Sequence, residues 1–367
     1  MHKISIVTIS YNHGRFIEDA INSVLSQEGK FFIDYVIVDG GSSDNTLTIL
    51  QKYATYIKNQ TYPLKCLGCN FRYISEPDKG PSNALNKGLK MIEGDYVGIL
   101  NSDDFYYKGC FKKILDAFES YPDVDAVYGK TIFVDEMKNF MGIHKGKKDL
   151  KFEDFHLGDP ITQPSVFIKK SVFNRVGLFD ENFKFSYDHE FFIRSLKKGI
   201  KFFYIPEFVV FFRVRKDALS SGRYMDAFVE TLTVQLKYFG FDRWIIYNLG
   251  LFSYIYAKKT EKSFDECFFE IKNSFNDKNP NFRIYGEKEK KARRLGYLKY
   301  SIYKIGKSEK GGIEKYLKKI IVYFNILFLS DDNIHFLLFL LMTRTWLVGM
   351  RIYSKVKNLF KLNNLRG

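Results

Sequence analysis

The sequence predicts an α/β fold around a parallel sheet, and three observations carry that prediction. Apolar runs at Ile4 to Ile9, Tyr35 to Val38, Phe71 to Ile74 and Tyr96 to Leu100 lack the alternation of a half-exposed strand, as strands buried on both faces do. Each run breaks into a turn rich in Asp, Ser, Asn or Gly. After the first three comes an apolar pattern at helical spacing, so successive βα units deposit polar residues along one strand edge, where open α/β sheets place their chemistry.

The first strand ends in Ser10-Tyr11-Asn12-His13-Gly14, and Phe16, Ile17, Ala20, Ile21, Val24 and Leu25 then mark one helix face. The second ends in Asp39 and two glycines, which allow tight backbone turns, and Ser43 or Asp44 is placed to cap a helix carrying Leu47, Ile49, Leu50 and Tyr53. The third leads through Ser75-Glu-Pro-Asp-Lys-Gly-Pro81 into a helix with Ala84, Leu85, Leu89 and Ile92 inward. The fourth stops at Asn101-Ser102-Asp103-Asp104. Adjacent carboxylates at a strand end are hard oxygen donors suited to Mg²⁺ or Mn²⁺ carrying a diphosphate, although the same four residues also make an Asx turn. Neither GxGxxG after the first strand nor GxxxxGK[ST] anywhere is present, so neither a dinucleotide fingerprint nor a P-loop accounts for this edge.

Taken in order, Ser5-Ile-Val-Thr-Ile-Ser-Tyr-Asn12, Val36-Ile-Val-Asp-Gly-Gly-Ser-Ser-Asp-Asn-Thr46, Ser75-Glu-Pro-Asp-Lys-Gly80 with Asn86-Lys-Gly88, and Asn101-Ser-Asp-Asp104 resemble the motifs of glycosyltransferase family 2. Ile161-Thr-Gln-Pro-Ser-Val-Phe167, Val176-Gly-Leu-Phe-Asp180 and Tyr187-Asp-His-Glu-Phe-Phe-Ile-Arg194 resemble that family's acceptor half. The resemblance implies a GT-A fold, in which a Rossmann-like nucleotide-binding half (1–104) merges with a mixed-sheet acceptor half (105–220). It implies that Thr8, Ser10 and Tyr11 line the base or ribose and that Asp39 accepts from the base edge. Lys79 and Asn86 are implied near phosphate or ribose. Asn101 replaces the first Asp of the family's DxD, which leaves Asp103 as the metal ligand for Mn²⁺ or Mg²⁺, with Asn101, Ser102 and Asp104 assisting the donor. Asp188 falls at the catalytic carboxylate, Gln163 at an acceptor-loop position, and Arg213 with Arg215 where a cation meets the diphosphate. Near a helix start, Asp188 is expected to be favoured as the anion.

Of the 367 residues, 46% are hydrophobic and 17% aromatic, which excludes disorder as the main state. Residues 1–212 are neutral, with 27 Lys and Arg against 27 Asp and Glu, whereas 213–367 carry 30 against 15. This basic part, 221–367, reads as a helical extension: Met225 to Phe239, Trp244 to Tyr256, Phe264 to Phe275, Lys288 to Ile305 and Ile313 to Lys361. The apolar runs Ile320 to Leu329 and Ile334 to Leu341 fall short of the ~20 residues of a membrane span. Two readings compete for this tail, amphipathic helices on an anionic leaflet or a helical cap on the catalytic domain. Cys66, Cys69, Cys110 and Cys267 form no disulfide framework, and no apolar signal segment precedes the first strand, so a reducing cytoplasm is expected, peripheral to the plasma membrane's inner face. Cys66-Leu-Gly-Cys69 lacks the second ligand pair of a structural zinc site.

The expected partners are a nucleotide-sugar donor, UDP-linked, and a glycan or polyprenyl-linked acceptor of surface-polysaccharide synthesis such as O-antigen or capsule. A GT-A protein that binds nucleotide sugar without transferring it is the alternative. Nucleic acid is disfavoured as a partner despite the basic tail, since no helix-turn-helix, zinc finger or RNP1 sequence occurs.

Overall fold

The computed structural model describes residues 2–215, 223–240, 243–293 and 296. Met1–Arg293 form one compact unit.

The four expected strands are present as β1 (His2–Ser10), β2 (Phe31–Asp39), β3 (Gly68–Ser75) and β4 (Tyr96–Asn101), all mutually parallel. Helices α1 (Ile17–Leu25), α2 (Thr46–Lys58) and α3 (Pro81–Met91) connect them. Period-two alternation divides the apolar residues between two faces. Ile4, Ile6, Ile33, Tyr35 and Ile37 join a core with α1 and α2, while Val7, Val36 and Val38 join a second core with α3. The unbroken apolar runs are thus two interleaved faces, each covered by helices.

Beyond β4 come β5 (Phe105–Tyr106), α4 (Cys110–Ser120), β6 (Ala126–Val134), β7 (Phe140–His144), β8 (Val166–Lys169), α5 (Ser171–Val176), α6 (Tyr187–Lys197) and β9 (Phe202–Arg213). Among the described residues the sheet has nine strands in the order β3-β2-β1-β4-β8-β6-β9-β5, with β7 on β6. The change of direction falls at β4, whose far side takes β8 antiparallel. This is the mixed sheet expected from the family resemblance.

Three helices of the basic region belong to the same compact unit: α7 (Tyr224–Phe239), α8 (Arg243–Thr260) and α9 (Phe264–Lys278). Ser263 caps α9 reciprocally with Glu266, which satisfies two otherwise orphaned backbone donors at its start. Phe264, Cys267, Phe268, Ile271 and Phe275 bury its inner face at helical spacing. Among the described residues no helix is long and apolar enough to cross a membrane. Most of the tail expectation, including Ile320 to Leu341, lies outside the described residues.

Candidate active site

The acidic turn after β4 is built by contacts that give its two carboxylates different tasks. Asp104 is fully buried, and its Oδ1 accepts the Arg213 backbone N–H at 2.8 Å, tying the turn to the end of β9. Asn101 Nδ2 reaches its other oxygen at 3.4 Å. Burial, reinforced by the neighbouring Asp103 charge, pushes the Asp104 carboxyl well above the usual range. Asp103 is part-buried and paired with Arg215, whose Nε donates to its Oδ2 at 2.9 Å. Arg215 Nη2 lies 2.9 Å from His13 Nε2, and His13 Nδ1 lies 2.6 Å from Ser102 Oγ. A guanidinium only donates, so Nε2 is the accepting nitrogen, and the network assigns the proton to Nδ1, which donates to Ser102.

The loops after β1 and β2 are laced together beside this turn. The Asn12 backbone N–H donates to Ser42 Oγ at 2.7 Å, Asn12 Oδ1 accepts from the Ser43 N–H at 2.8 Å, and the Gly14 N–H donates to Asp44 at 2.8 Å. Asn12 adopts a left-handed φ of 53°, which Asn tolerates better than most side chains. Gly40 marks a close approach: a Cβ there would lie 2.7 Å from Asp78 Oδ2 and 3.3 Å from the Tyr11 ring. The glycine therefore leaves a slot between an exposed aromatic face and a carboxylate. Ser10 Oγ, buried at the floor of this edge, has no hydrogen-bond partner.

Asp188 stands in the first turn of α6 and accepts the His189 N–H through Oδ1 at 2.8 Å. The helix start does not win here. Burial, with the nearby Asp159 charge, raises the Asp188 carboxyl to about 7, against the expectation that the helix start would favour the anion. The phenol of adjacent Tyr187 is buried and pushed up, by burial first and then by the charges of Asp188, Asp104 and Asp103. The entry to α6 is held from α7: Glu230, buried, accepts the backbone N–H groups of Lys184, Phe185 and Ser186 at 2.7–3.1 Å. Glu190 is equally buried and accepts from Arg194 and from Lys237 and Tyr238 of α7.

The residues singled out from the sequence fall into three groups. Asp103, Ser102, Tyr11 and Ser10 all lie at the strand-end edge, Ser102 bonded to His13 and Asp103 to Arg215, with Asn101 half-buried in the same turn. Several others are engaged by the protein itself. Thr8 bonds Tyr35 inside the core at 3.1 Å, and Asp39 accepts from the Gly41 and Ser42 backbone and from the Ser42 and Ser75 hydroxyls. Asn86 joins α3 to the chain at Phe179 and Glu181, and Gln163 Nε2 donates to the Ile99 carbonyl, leaving its Oε1 buried and unpartnered. Lys79 is exposed at the start of α3. Of the two arginines, Arg213 turns to Asp19 at 2.7 Å and lies between the Phe16 and Phe105 rings, so Arg215 is the one that meets Asp103. His13, Asp159 and Glu230 have no comparable sequence signal. His189, buried with Nδ1 2.6 Å from Asp159, has an unpartnered Nε2.

No group of three His, Cys, Asp or Glu side chains able to hold a metal occurs among the described residues. The donor set nevertheless fits Mg²⁺ or Mn²⁺ brought with a diphosphate, because such ions are commonly bound by one or two carboxylates plus phosphate oxygens and water. Asp103, part-buried and paired with Arg215, is the less buried of the two carboxylates and would be the one to hold such an ion.

A parallel half, β3-β2-β1-β4, joined at an acidic turn to a mixed half in which β6 pairs β8 antiparallel and β9 parallel, is the α/β arrangement of the GT-A fold. The model of glycosyl transferase family 2 matches residues 5–214, and the chain belongs to that family. An uncharacterized glycosyltransferase of Methanocaldococcus jannaschii is 24% identical over 216 residues, 58% of this chain and 70% of that protein. The minor teichoic acid biosynthesis protein GgaB of Bacillus subtilis is 28% identical over 60% of this chain, which spans only 24% of GgaB. The putative teichuronic acid biosynthesis glycosyltransferase TuaG, also of B. subtilis, is 25% identical over 61% of this chain and 84% of its own length. Among solved structures, S. aureus TarS 1–349 in complex with UDP-GlcNAc aligns with a TM-score of 0.54 at 16% identity, covering 83% of this chain and 92% of that one. The mannosyltransferase PcManGT of Pyrobaculum calidifontis, in complex with GDP-Man and Mn²⁺, aligns at 0.50 and 15%, covering 81% and 86%.

Proposed function

We propose that this glycosyltransferase is metal-dependent and inverting, and that it moves a sugar from a UDP-linked donor to a hydroxyl of a glycan or lipid-linked acceptor. The acceptor is assigned to cell-surface polysaccharide synthesis on the cytoplasmic side of the plasma membrane. The observation that carries this reading is the acidic turn at the end of β4, where Asp103 is paired with Arg215, in a chain whose residues 5–214 match the family. The names of GgaB and TuaG support a surface polymer as product, and the UDP-GlcNAc bound to TarS supports the donor class.

Tyr11 offers an aromatic face to the base, and Ser10 Oγ is a free hydroxyl for the nucleoside. Held by Asp103 and the donor diphosphate, Mn²⁺ or Mg²⁺ would supply Lewis-acid stabilisation worth several kcal/mol as negative charge develops. Arg215, paired with Asp103 here, provides a second cation of the planar type suited to phosphate. Asp188 takes the proton from the acceptor hydroxyl, whose oxygen bonds to the anomeric carbon as the bond to the diphosphate breaks. A carboxyl near 7 is a stronger base than an ordinary aspartate yet remains substantially ionised at neutral pH. Single displacement inverts the anomeric centre.

The test is donor-induced thermal stabilisation with UDP-, GDP- and dTDP-sugars in Mn²⁺, read beside turnover. Stabilisation by a UDP-sugar that is lost in Asp103→Ala supports the assignment. Undiminished wild-type turnover in EDTA removes the metal from it. A protein stabilised by donor but inert toward every acceptor and toward donor hydrolysis would be the binding-only alternative.

A further inference from the structure

We propose that the β6–β7 hairpin, with the lysine run that follows it, is a docking surface for an anionic lipid bilayer. Four of the eleven large hydrophobic side chains exposed among the described residues lie in this one element: Met137 at 74%, Phe140 at 67%, Met141 at 56% and Ile143 at 45%. Scattered exposed apolar side chains need no explanation, but such a concentration marks an interaction surface. Immediately after it come Lys145, Lys147, Lys148 and Lys151, all exposed, and Lys145 and Lys148 make no ion pair among the described residues.

The tip is held in shape. Asp135 accepts from the Met137 and Asn139 backbone N–H groups at 2.9 and 2.8 Å and from Asn139 Nδ2 at 2.9 Å, so Met137 is presented outward by a braced turn. It is also fixed beside the catalytic edge. Lys138 Nζ donates to Asp19 at 2.6 Å, Asp19 also receives Arg213, and Arg15 in the loop before α1 pairs with Glu136 at 2.9 Å. Whatever covers the hairpin therefore lies next to the loop that carries Tyr11 and His13.

The chemistry favours lipid among possible occupants. A glycan is recognised by a dense set of hydrogen-bonding groups around an aromatic platform, whereas this surface offers two thioethers, one aliphatic side chain and one phenyl ring flanked by ammonium groups. A second copy of the same chain would bring its own lysine run against this one. Apolar side chains entering the acyl boundary, with lysines at the level of anionic headgroups, satisfy both components at once. The surface is distinct from the basic tail and rests on the proposed function only for the lipid-linked nature of the acceptor.

The test is hydrogen exchange by mass spectrometry on the full chain, free and with phosphatidylglycerol/phosphatidylcholine or pure phosphatidylcholine vesicles. Peptides within 136–151 should gain protection on anionic vesicles, with much less on neutral ones. The variant Met137→Ser/Phe140→Ser/Met141→Ser should lower vesicle partitioning about tenfold or more, and Lys145→Glu/Lys148→Glu about as much, given how strongly each buried apolar group and each basic residue contributes. Both variants should keep the wild-type melting temperature and donor-induced stabilisation, which separates failure of this proposal from failure of the proposed function. Protection confined to 294–367, equal protection on neutral vesicles, or protection that grows with protein concentration in the absence of lipid would overturn it.

Discussion

At Asp188 two influences oppose one another. The first turn of α6 favours the carboxylate, while burial and the Asp159 charge favour the acid, and burial prevails. Because the folded-state value is raised to about 7, this group favours folding below its unfolded value, near 4. That contribution is lost as pH rises through 7. Asp188→Asn, which imitates the protonated acid, should therefore raise the melting temperature more at pH 8 than at pH 5, and differential scanning fluorimetry across that range is the check. The same substitution should cut kcat by at least ~10², the scale of a general-base contribution. Wild-type kcat should rise with pH through about 7, whereas the residual rate of the variant should not. Asp39, Asp104 and Asn86 show why residue roles were only partly legible. Their positions at strand ends and on α3 were readable, but their hydrogen-bond partners come from separate segments, Ser75 for Asp39, Arg213 for Asp104 and Phe179 for Asn86. A polar side chain at a strand end reads the same in sequence whether it faces a ligand or fastens a loop.

Among the elements, β1 to β4 were legible because each apolar run covers two faces, whereas β6, β8 and β9 are paired through long-range antiparallel and parallel contacts without so plain a local pattern. The helices α7 to α9 were legible as helices, but not the particular contact that matters most. Glu230 of α7 supplies the acceptor for three backbone donors at the entry to α6, so a helix beyond the family-matched residues shapes the loop that leads into the first turn of α6, where Asp188 stands. Leaving buried backbone N–H groups unpaired costs about 1–3 kcal/mol each where water cannot replace the acceptor, so Glu230→Ala should destabilise the protein by about 2–4 kcal/mol. Denaturant unfolding measures that loss, and Glu230→Gln, which keeps an acceptor oxygen, should recover part of it. An Ala variant as stable as wild type would mean that solvent satisfies the loop. If the loop positions the base, both variants should lower kcat more than they alter the KM for donor.

For the whole molecule, Met1–Arg293 behave as one compact unit, and the packing of α7 on α6 makes an end at residue 220 a cut through it. A chain of residues 1–293 should melt cooperatively and retain donor binding, while 1–220 should melt lower or fail to fold; equal melting of the two would show that α7 is dispensable. Sequence could locate the onset of helices and the excess of positive charge after Phe212, but it could not distinguish helices that complete a domain from helices that leave it, because both carry one apolar face. In the proposed reaction Asp103 works with the donor and Asp188 on the acceptor. The most direct measurement is nucleotide-diphosphate release from a UDP-sugar panel in Mn²⁺, with donor affinity measured in parallel, for wild type, Asp103→Ala and Asp188→Asn. Wild type should release the diphosphate, Asp103→Ala should lose both release and affinity, and Asp188→Asn should release it at least ~10² more slowly with affinity nearly unchanged. Wild-type release rates in Asp188→Asn, or donor affinity undiminished in Asp103→Ala, would contradict this division of roles.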